Sequence, residues 1–214
     1  MSEFLNYFVV LFVVIDPIGV AAIFSALAHG ESATHRRTMA WRGTLIAGGV
    51  LIVFTLLGDR LLRVLGISVA AFEIAGGVLL FLLAVDMVFA RHSGLRSTTA
   101  AGQKEAEQKK DISVFPLAVP LIAGPGALTS VLLMVGHEGG EMLVIGSLIA
   151  VLLLTLAALW FSGRILALLG ATGANVVSRV LGIVLAAMAV QFVINGWFAA
   201  ATPAEPEEVE TITI

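Results

Sequence analysis

The chain has no cysteine among its 214 residues. It therefore cannot form disulfide bonds, attach haem through thioethers, or hold an iron–sulfur cluster or a zinc ion with thiolates. Its histidines stand between the apolar stretches without the spacing of metal ligands: His29, His35, His92 and His137. The sequence predicts no metal site and no bound cofactor.

Charged residues are scarce as well. They make up 13% of the chain, against roughly a quarter in soluble domains, and the mean hydropathy is +1.03. Apolar stretches near the ~20 residues that a helix needs to cross a bilayer recur along the chain, and they are too long for barrel strands. The sequence predicts an all-α membrane bundle of six transmembrane helices, at residues 4–28, 44–62, 69–90, 113–135, 142–161 and 177–199.

These spans leave no room for a separate soluble domain. We expect a single transmembrane domain over residues 1–200, with 91–112 as a cytoplasmic loop. The remaining segment, 201–214, contains four glutamates and few apolar residues, so we expect an acidic flexible tail.

Basic residues fall mainly on one side of the predicted bundle. Of the twelve Lys and Arg residues, only Arg60 and Arg63 do not follow the first, third or fifth span. The positive-inside rule places the side with the basic majority in the cytoplasm. We therefore expect a multi-pass protein of the inner (plasma) membrane with both termini on the outer, periplasmic side.

The two halves of the chain resemble each other. Three pairs of matching segments keep the same order, at spacings of 108, 104 and 105 residues: Pro17 with Pro125, 60–66 with 164–170, and 77–88 with 182–193. Nearly constant spacing indicates an internal duplication. Because each half holds three spans, the second must insert upside down. The sequence thus predicts two inverted three-helix repeats, at about 4–90 and 113–199.

Each repeat opens with an apolar segment that proline and glycine interrupt. A helix break exposes backbone groups that lipid cannot satisfy, so it persists where these groups line a cavity or bind something. Paired breaks in two halves mark the substrate sites of transporters. We therefore predict broken first and fourth helices, with a substrate site formed by Asp16, Pro17, Gly19, Gly124, Pro125, Gly126, Thr129 and Ser130.

Two interpretations apply to each break. A carboxylate in a span, such as Asp16, indicates binding of a cation, an amine or a proton, but Asp is also a good N-cap before a proline at the first helical position. A half-helix beginning near Gly126 would present free amides to a carboxylate, although a proline kink can also serve packing alone. The two roles of Asp16 are compatible.

Polar residues on the third and sixth spans are candidates for gating or ion coupling. If these spans pack antiparallel, Asp86 comes near Arg179 at the cytoplasmic end, and Glu73 comes near Gln191 and Asn195 at the outer end. The alternative is that they pair helices or reach toward the membrane interface.

Several strings in the chain are similar to those of one family. They are Asp16-Pro-Ile-Gly19, Ala123-Gly-Pro-Gly-Ala127, Ser178-Arg-Val-Leu-Gly182 and Val190-Gln-Phe-Val-Ile-Asn-Gly196. With them the chain resembles the MarC family of small integral inner-membrane proteins over residues 4–199. The resemblance implies six helical spans and, by analogy with members described as small neutral amino acid transporters, solute transport. The chain departs from many relatives at Val20-Ala21-Ala22, where they carry Asn and a second Pro.

The function expected from these observations is secondary transport of a small solute, most simply a small neutral amino acid. The transporter would use alternating access around a midplane site, with a sodium ion or proton as coupling ion. The expected partners are this solute and the lipid bilayer, not nucleic acid, and the oligomeric state stays open. The alternatives are a non-catalytic assembly or scaffold protein and an intramembrane enzyme. We expect no enzyme, because Gly58-Asp59 lacks the setting of an intramembrane protease aspartate and no hydrolase motif occurs.

The predicted orientation can be tested with single cysteines, because the chain has none of its own. We expect Ser97→Cys to react with a membrane-impermeant thiol reagent only from the cytoplasmic side, and Gly140→Cys only from the outer side. Labelling of Ser97→Cys in intact cells would overturn this orientation. Labelling of both positions from one face would contradict an inverted second repeat.

Overall fold

The computed structural model describes residues 2–89, 111–135 and 141–201. Within them every regular element is a helix: α1 Ser2–Ile15, α2 Pro17–Leu27, α3 Ala33–Val64, α4 Val69–Val88, α5 Ser113–Ile122, α6 Pro125–Val135, α7 Glu141–Trp160 and α8 Ser162–Ala201. The predicted all-α class is confirmed. Most of the predicted loop at 91–112 and of the predicted tail at 201–214 lies outside the described residues.

The helices have the length and composition of membrane spans. Five segments qualify singly: Glu3–Leu27, Ala33–Gly58, Val69–Val88, Glu141–Trp160 and Thr172–Ala201. A sixth span arises if α5 and α6, which meet at a bend of 53°, are counted as one. The chain is therefore an integral membrane protein with several apolar helices.

The second span begins earlier than hydropathy predicts. The expected start is residue 44, whereas α3 starts at Ala33. Ser32 caps the first turn, because its hydroxyl accepts a hydrogen bond of 3.2 Å from the His35 N–H. The arginines that follow lower the hydropathy, but Arg has a high helix propensity and does not end a helix. α3 therefore extends beyond its apolar part.

α4 and α8 form the most extensive helix pair in the described bundle. A Cβ atom built on Gly77 of α4 would lie 2.7 Å from the backbone oxygen of Ala189. On α8, a Cβ atom on Gly182 would lie 2.8 Å from the Cβ of Met87, and one on Gly196 would lie 2.8 Å from the oxygen of Ala70. Residue numbers rise along one helix as they fall along the other, so the pair is antiparallel. Glycine at these positions allows the backbones to approach closely.

The other helices pack around this pair and around each other. α2 contacts α8, and α6 contacts α4. α1 packs against α7 and α5 against α3, while α3 and α7 also contact each other. The common core contains large, fully buried side chains from many helices, among them Leu11, Phe24, Met39, Leu80, Leu148 and Leu185.

Polar contacts tie helices together at the predicted cytoplasmic end. The Arg36 guanidinium donates a hydrogen bond of 2.9 Å to the hydroxyl of buried Ser162, which joins α3 to α8. Arg42 lies 3.4 Å from the Asp111 carboxylate, next to α5. Hydrogen bonds from the hydroxyl and the N–H of Ser113 hold the pKa of Asp111 below its usual value, and Arg42 contributes in the same direction. Polar contacts therefore join α3 to α8 and to the start of α5 at this end of the bundle.

The α4–α8 contact predicts a clear effect of adding one methyl group. Gly77→Ala should destabilise the fold by about 1–3 kcal/mol, because the methyl group would overlap the α8 backbone. Gly49→Ala in α3 is the matched control, since no described atom outside its own helix lies within 4 Å of a Cβ there, and Ala is the better helix former. Thermal unfolding of the purified variants measures the difference. Equal melting temperatures for Gly77→Ala and the parent would contradict the close approach.

Candidate substrate site at two helix breaks

The first break lies at Asp16, between α1 and α2. Asp16 has φ 49 and ψ 71, and it is the one non-glycine residue in the left-handed region within the described ranges. Asp tolerates this conformation better than most residues, because its short side chain can hydrogen-bond to the nearby backbone. Pro17 then begins α2, where its fixed φ suits the first helical position and its missing N–H leaves no unmet donor. The local sequence thus ends one helix and starts the next.

Asp16 is fully buried, and both of its carboxylate oxygens accept hydrogen bonds. Oδ1 accepts from the Gly19 N–H at 3.0 Å, which makes Asp16 the N-cap of α2. Oδ2 accepts from the Ser178 hydroxyl of α8 at 2.8 Å. The capping interpretation is therefore confirmed.

Gly19 makes room for this arrangement. A Cβ atom at Gly19 would collide with Asp16 Oδ2 and would lie 2.9 Å from the Ser178 hydroxyl. Any other residue would therefore displace one or both partners of the hydrogen bond. Gly19 belongs to the site because it lacks a side chain.

Two prolines within α5 make the backbone irregular just before the second break. Pro116 and Pro120 disfavour helical backbone in the residues before them, and Phe115 (φ −132, ψ 124) and Val119 (φ −130, ψ 122) are extended. Hydrogen bonds in α5 reach five residues back, as in a π-helix. α5 is consequently a wide, irregular helix.

α6 resumes the span beyond the bend. Gly124 packs so closely that a Cβ atom there would lie 2.5 Å from the backbone oxygen of Pro120. Its own carbonyl accepts a hydrogen bond of 3.0 Å from the Leu128 N–H, which closes the first turn of α6. The N-terminal end of a half-helix therefore lies inside the span, as the sequence predicts.

A crevice lies at this N-terminal end. Its empty volume, including the part open to the outside, is about 320 Å³, of which the enclosed part has room for about one water molecule. The side chains around it are apolar, so any polar atom on its wall belongs to the backbone. Its lining consists of Val14, Leu79, Leu83, 120–122 and 124–127.

Gly126 brings the two breaks together. A Cβ atom on Gly126 would lie 3.3 Å from Val14, two residues before Asp16, and 2.6 Å from Leu83 of α4. The end of α1 thus contacts the start of α6. Residues that are more than 100 positions apart in the sequence form one region of the bundle.

Thr129 and Ser130 lie one turn further along α6. Both are buried, and neither is among the residues that line the crevice. The Thr129 side chain packs against Gly76 of α4. The Ser130 hydroxyl has no hydrogen-bond partner among the described residues. Their predicted role in substrate binding stays a prediction.

Glu73 lies where the antiparallel pairing predicts. It is 8% exposed, and its Cβ would lie 2.9 Å from a Cβ on Gly196 of α8, next to Asn195. At the other end of α4, Met87 beside Asp86 packs against Gly182, three residues from Arg179. The pairing of these helix ends therefore follows the prediction, while a gating role for the side chains stays a prediction.

Gln191 and Asn195 contact each other. The Gln191 side-chain amide donates a hydrogen bond of 2.8 Å to the Asn195 side-chain oxygen. Both residues are exposed on α8. They therefore lie on the outside of the described bundle and not between its helices.

Sequence reasoning missed Ser178 as a site residue. It appears in the sequence only as part of a family-like string. It stands next to Arg179 at the start of the predicted sixth span, so nothing local marked it, and its partner lies 162 residues away. Only the packing of α8 on α2 reveals the contact.

The Asp16–Ser178 hydrogen bond predicts measurable coupling. In a double-mutant cycle with Asp16→Ala and Ser178→Ala, we expect a coupling energy of about 0.6–1.7 kcal/mol, from the average to the largest value for hydrogen bonds in a membrane protein. Ser147→Ala is the control, because the Ser147 hydroxyl donates instead to the Phe4 carbonyl at 3.1 Å. Its effect should add to that of Asp16→Ala. Unfolding in mixed detergent measures each stability, and additive behaviour of Asp16→Ala with Ser178→Ala would contradict the bond.

Comparison with known proteins identifies the family of the chain. The chain matches the MarC family integral membrane protein model over residues 1–200. A UPF0056 membrane protein of Archaeoglobus fulgidus is 37% identical over 202 residues, covering 92% of each chain. The UPF0056 inner membrane protein YhgN of Escherichia coli is 34% identical over 200 residues, covering 92% of this chain and 96% of YhgN.

A third relative shows the same extent of similarity. The UPF0056 membrane protein YvbG of Bacillus subtilis is 33% identical over 195 residues, covering 88% of this chain and 91% of YvbG. No solved structure matches the chain. Because the similarity runs through both breaks and every described helix, the chain belongs to the MarC family of integral membrane proteins.

Proposed function

We propose that this protein is a secondary transporter of a small solute, with its site between the two helix breaks. The observation that carries the proposal is the contact of the breaks at Gly126 and Val14, beside a crevice within the span. Interrupted helices at membrane depth are tolerated where they line a cavity or bind a ligand. In transporters, two such interrupted helices meet at the substrate site.

An inverted repeat is the second part of the proposal. The helix contacts support it, because exchanging the halves turns the α2–α8 contact into α6–α4 and the α1–α7 contact into α5–α3. The glycines of a matched pair also share an unusual conformation: Gly66 has φ 68 and Gly170 has φ 65. Alternating access then consists of one repeat rocking against the other.

The two breaks differ in charge, which favours a small neutral amino acid. The N-terminus of α6 presents backbone amides and a positive dipole end to a carboxylate. Asp16 carries a negative charge that suits an amine or a cation. A zwitterion has one group for each break, and the apolar crevice walls favour a small, uncharged side chain.

Asp16 is also our candidate for ion coupling. Its carboxylate is buried in the span beside Gly19 and Ser178, and a carboxylate in that setting can hold a sodium ion or a proton. Ion binding would weaken the bond to Ser178 and thereby loosen α2 from α8. Glu73, Asp86 and Arg179 would form the gates above and below this site.

The proposed location is the inner membrane, with both termini on the outer side. The distribution of basic residues supports this orientation. The relative YhgN is named an inner membrane protein.

Reconstitution in liposomes tests the transport proposal. The parent protein should accumulate a labelled small neutral amino acid when a sodium or proton gradient is imposed. Gly126→Ala should reduce the rate about tenfold or more, because a methyl group at Gly126 would fill the space toward Leu83 and Val14 in the crevice wall. Gly49→Ala is the control and should transport like the parent.

Asp16→Asn separates the charge from the cap. Asn keeps the side-chain oxygen for the Gly19 N–H and tolerates the left-handed conformation, so folding should be retained while ion-dependent accumulation is lost. Asp16→Ala should in addition lose about 0.5–2 kcal/mol of stability with the cap. Normal accumulation by both Asp16→Asn and Gly126→Ala would overturn the proposed site.

A further inference from the structure

α8 is the span that the described bundle covers least. Only 17% of its apolar window is buried, against 39% to 56% in the other four single-helix spans. The exposed side carries the hydrogen-bonded pair Gln191 and Asn195. A polar pair therefore faces away from the protein on a helix that is long and apolar enough to cross the membrane.

Gln191 lies within the hydrocarbon region by its distance from Trp197. They are six positions apart, which is about 9 Å along a helix at ~1.5 Å per residue. Trp197 is 65% exposed, and exposed Trp side chains at span ends sit at the headgroup level. Lipid tails surround the position of Gln191 if nothing else covers it.

The hydrogen bond between the two amides leaves most of their capacity unused. A Gln or Asn amide has two N–H donors and an oxygen with two lone pairs. The pair uses one donor of Gln191 and one acceptor position of Asn195, and no other described residue is within hydrogen-bond distance of either side chain. Polar groups without partners are unfavourable in lipid. The remaining donors and acceptors therefore call for a partner from outside the described fold.

The outward face of α4 shows what a lipid-facing surface looks like in the same molecule. Val78, Phe81 and Leu82 are exposed there, and all are apolar. Gly77 packs against Ala189 and Val193 of α8, so Val78 stands at about the depth of Gln191. At the same depth in the membrane, α4 therefore exposes apolar side chains and α8 exposes an amide.

We propose that the outward face of α8 is a homodimer interface in which the amide of Gln191 meets the same amide of a second copy. All copies insert with one orientation, so a two-fold axis lies along the membrane normal and brings identical residues together at equal depth. Two amides are self-complementary, because each has both donors and acceptors, which two charged groups would not be. Ala187, one turn before Gln191, is small enough to let the two α8 backbones approach.

Single cysteines test the interface in this cysteine-free chain. Ala187→Cys and Ile194→Cys lie on the proposed face, one turn to either side of Gln191, and both positions are exposed. Oxidation in liposomes at low protein density should convert these variants to covalent dimers. Val78→Cys, at the same depth on α4, should stay monomeric. Equal cross-linking at Val78 would indicate random collision, and no cross-linking at either α8 position would indicate that lipid covers the face; either result overturns the proposal.

The role of the amide is tested by substitution at Gln191. Gln191→Leu should weaken dimerisation about 3- to 30-fold, which corresponds to membrane hydrogen bonds of about 0.6–2 kcal/mol. Gln191→Asn, which keeps an amide, should retain more of the association. The dissociation constant is measured by energy transfer between labelled copies in bilayers. Association of Gln191→Leu equal to that of the parent would overturn the assignment of Gln191, and a helical content of Gln191→Leu equal to that of the parent by circular dichroism would show that the loss is not one of folding.

Discussion

The close approach of α4 and α8 is the contact on which the rest of the bundle depends. Glycine on both helices allows backbone atoms to come within van der Waals distance of each other. α2 rests on α8 and α6 rests on α4, so each half-helix that follows a break is positioned by one member of the pair. A shift between α4 and α8 would move both breaks relative to each other. This is the physical reason that the pair can both hold the site and, in the proposed transporter, change it.

Polar groups are buried in a different way at each of the two breaks. At the first, a charged side chain is taken out of water, and Asp16 is stabilised there by one hydrogen bond from its own turn and one from α8. At the second, the polar groups belong to the backbone, and Gly124 and Gly126 let it pack closely against Pro120 and Leu83 because they lack side chains. A carboxylate in a span has a large desolvation cost unless protein surrounds it. The hydrogen bond from Ser178 therefore helps Asp16 to remain buried, whatever function Asp16 has.

The membrane also gives a meaning to residues on the outside of the bundle. In water an exposed Gln or Asn needs no explanation, because solvent satisfies it. In lipid the same residue finds no hydrogen-bond partner in its surroundings, whereas exposed Val78 and Phe81 need none because they are apolar. The polar pair on α8 is thus the kind of feature that a second copy can satisfy. The proposed dimer places this contact on the side of α8 that faces away from the crevice, so association and transport would use different surfaces.

The sequence by itself determined the all-α membrane class and the place of both breaks. Hydropathy, proline and glycine act locally, and each leaves its mark within about 20 residues. The same local character explains why the start of the second span was predicted too late. Hydropathy falls at the arginines of α3, and it takes no account of the cap at Ser32.

Only the tertiary structure decided which faces meet. It joined Ser178 to Asp16 and Gly126 to Val14, and it turned Gln191 outward. In a soluble helix the apolar stripe marks the buried side, but a span is apolar on the sides that face lipid and protein alike. Without that contrast, the inward face is set by where small residues on distant helices fit together, and this information is spread over the whole chain.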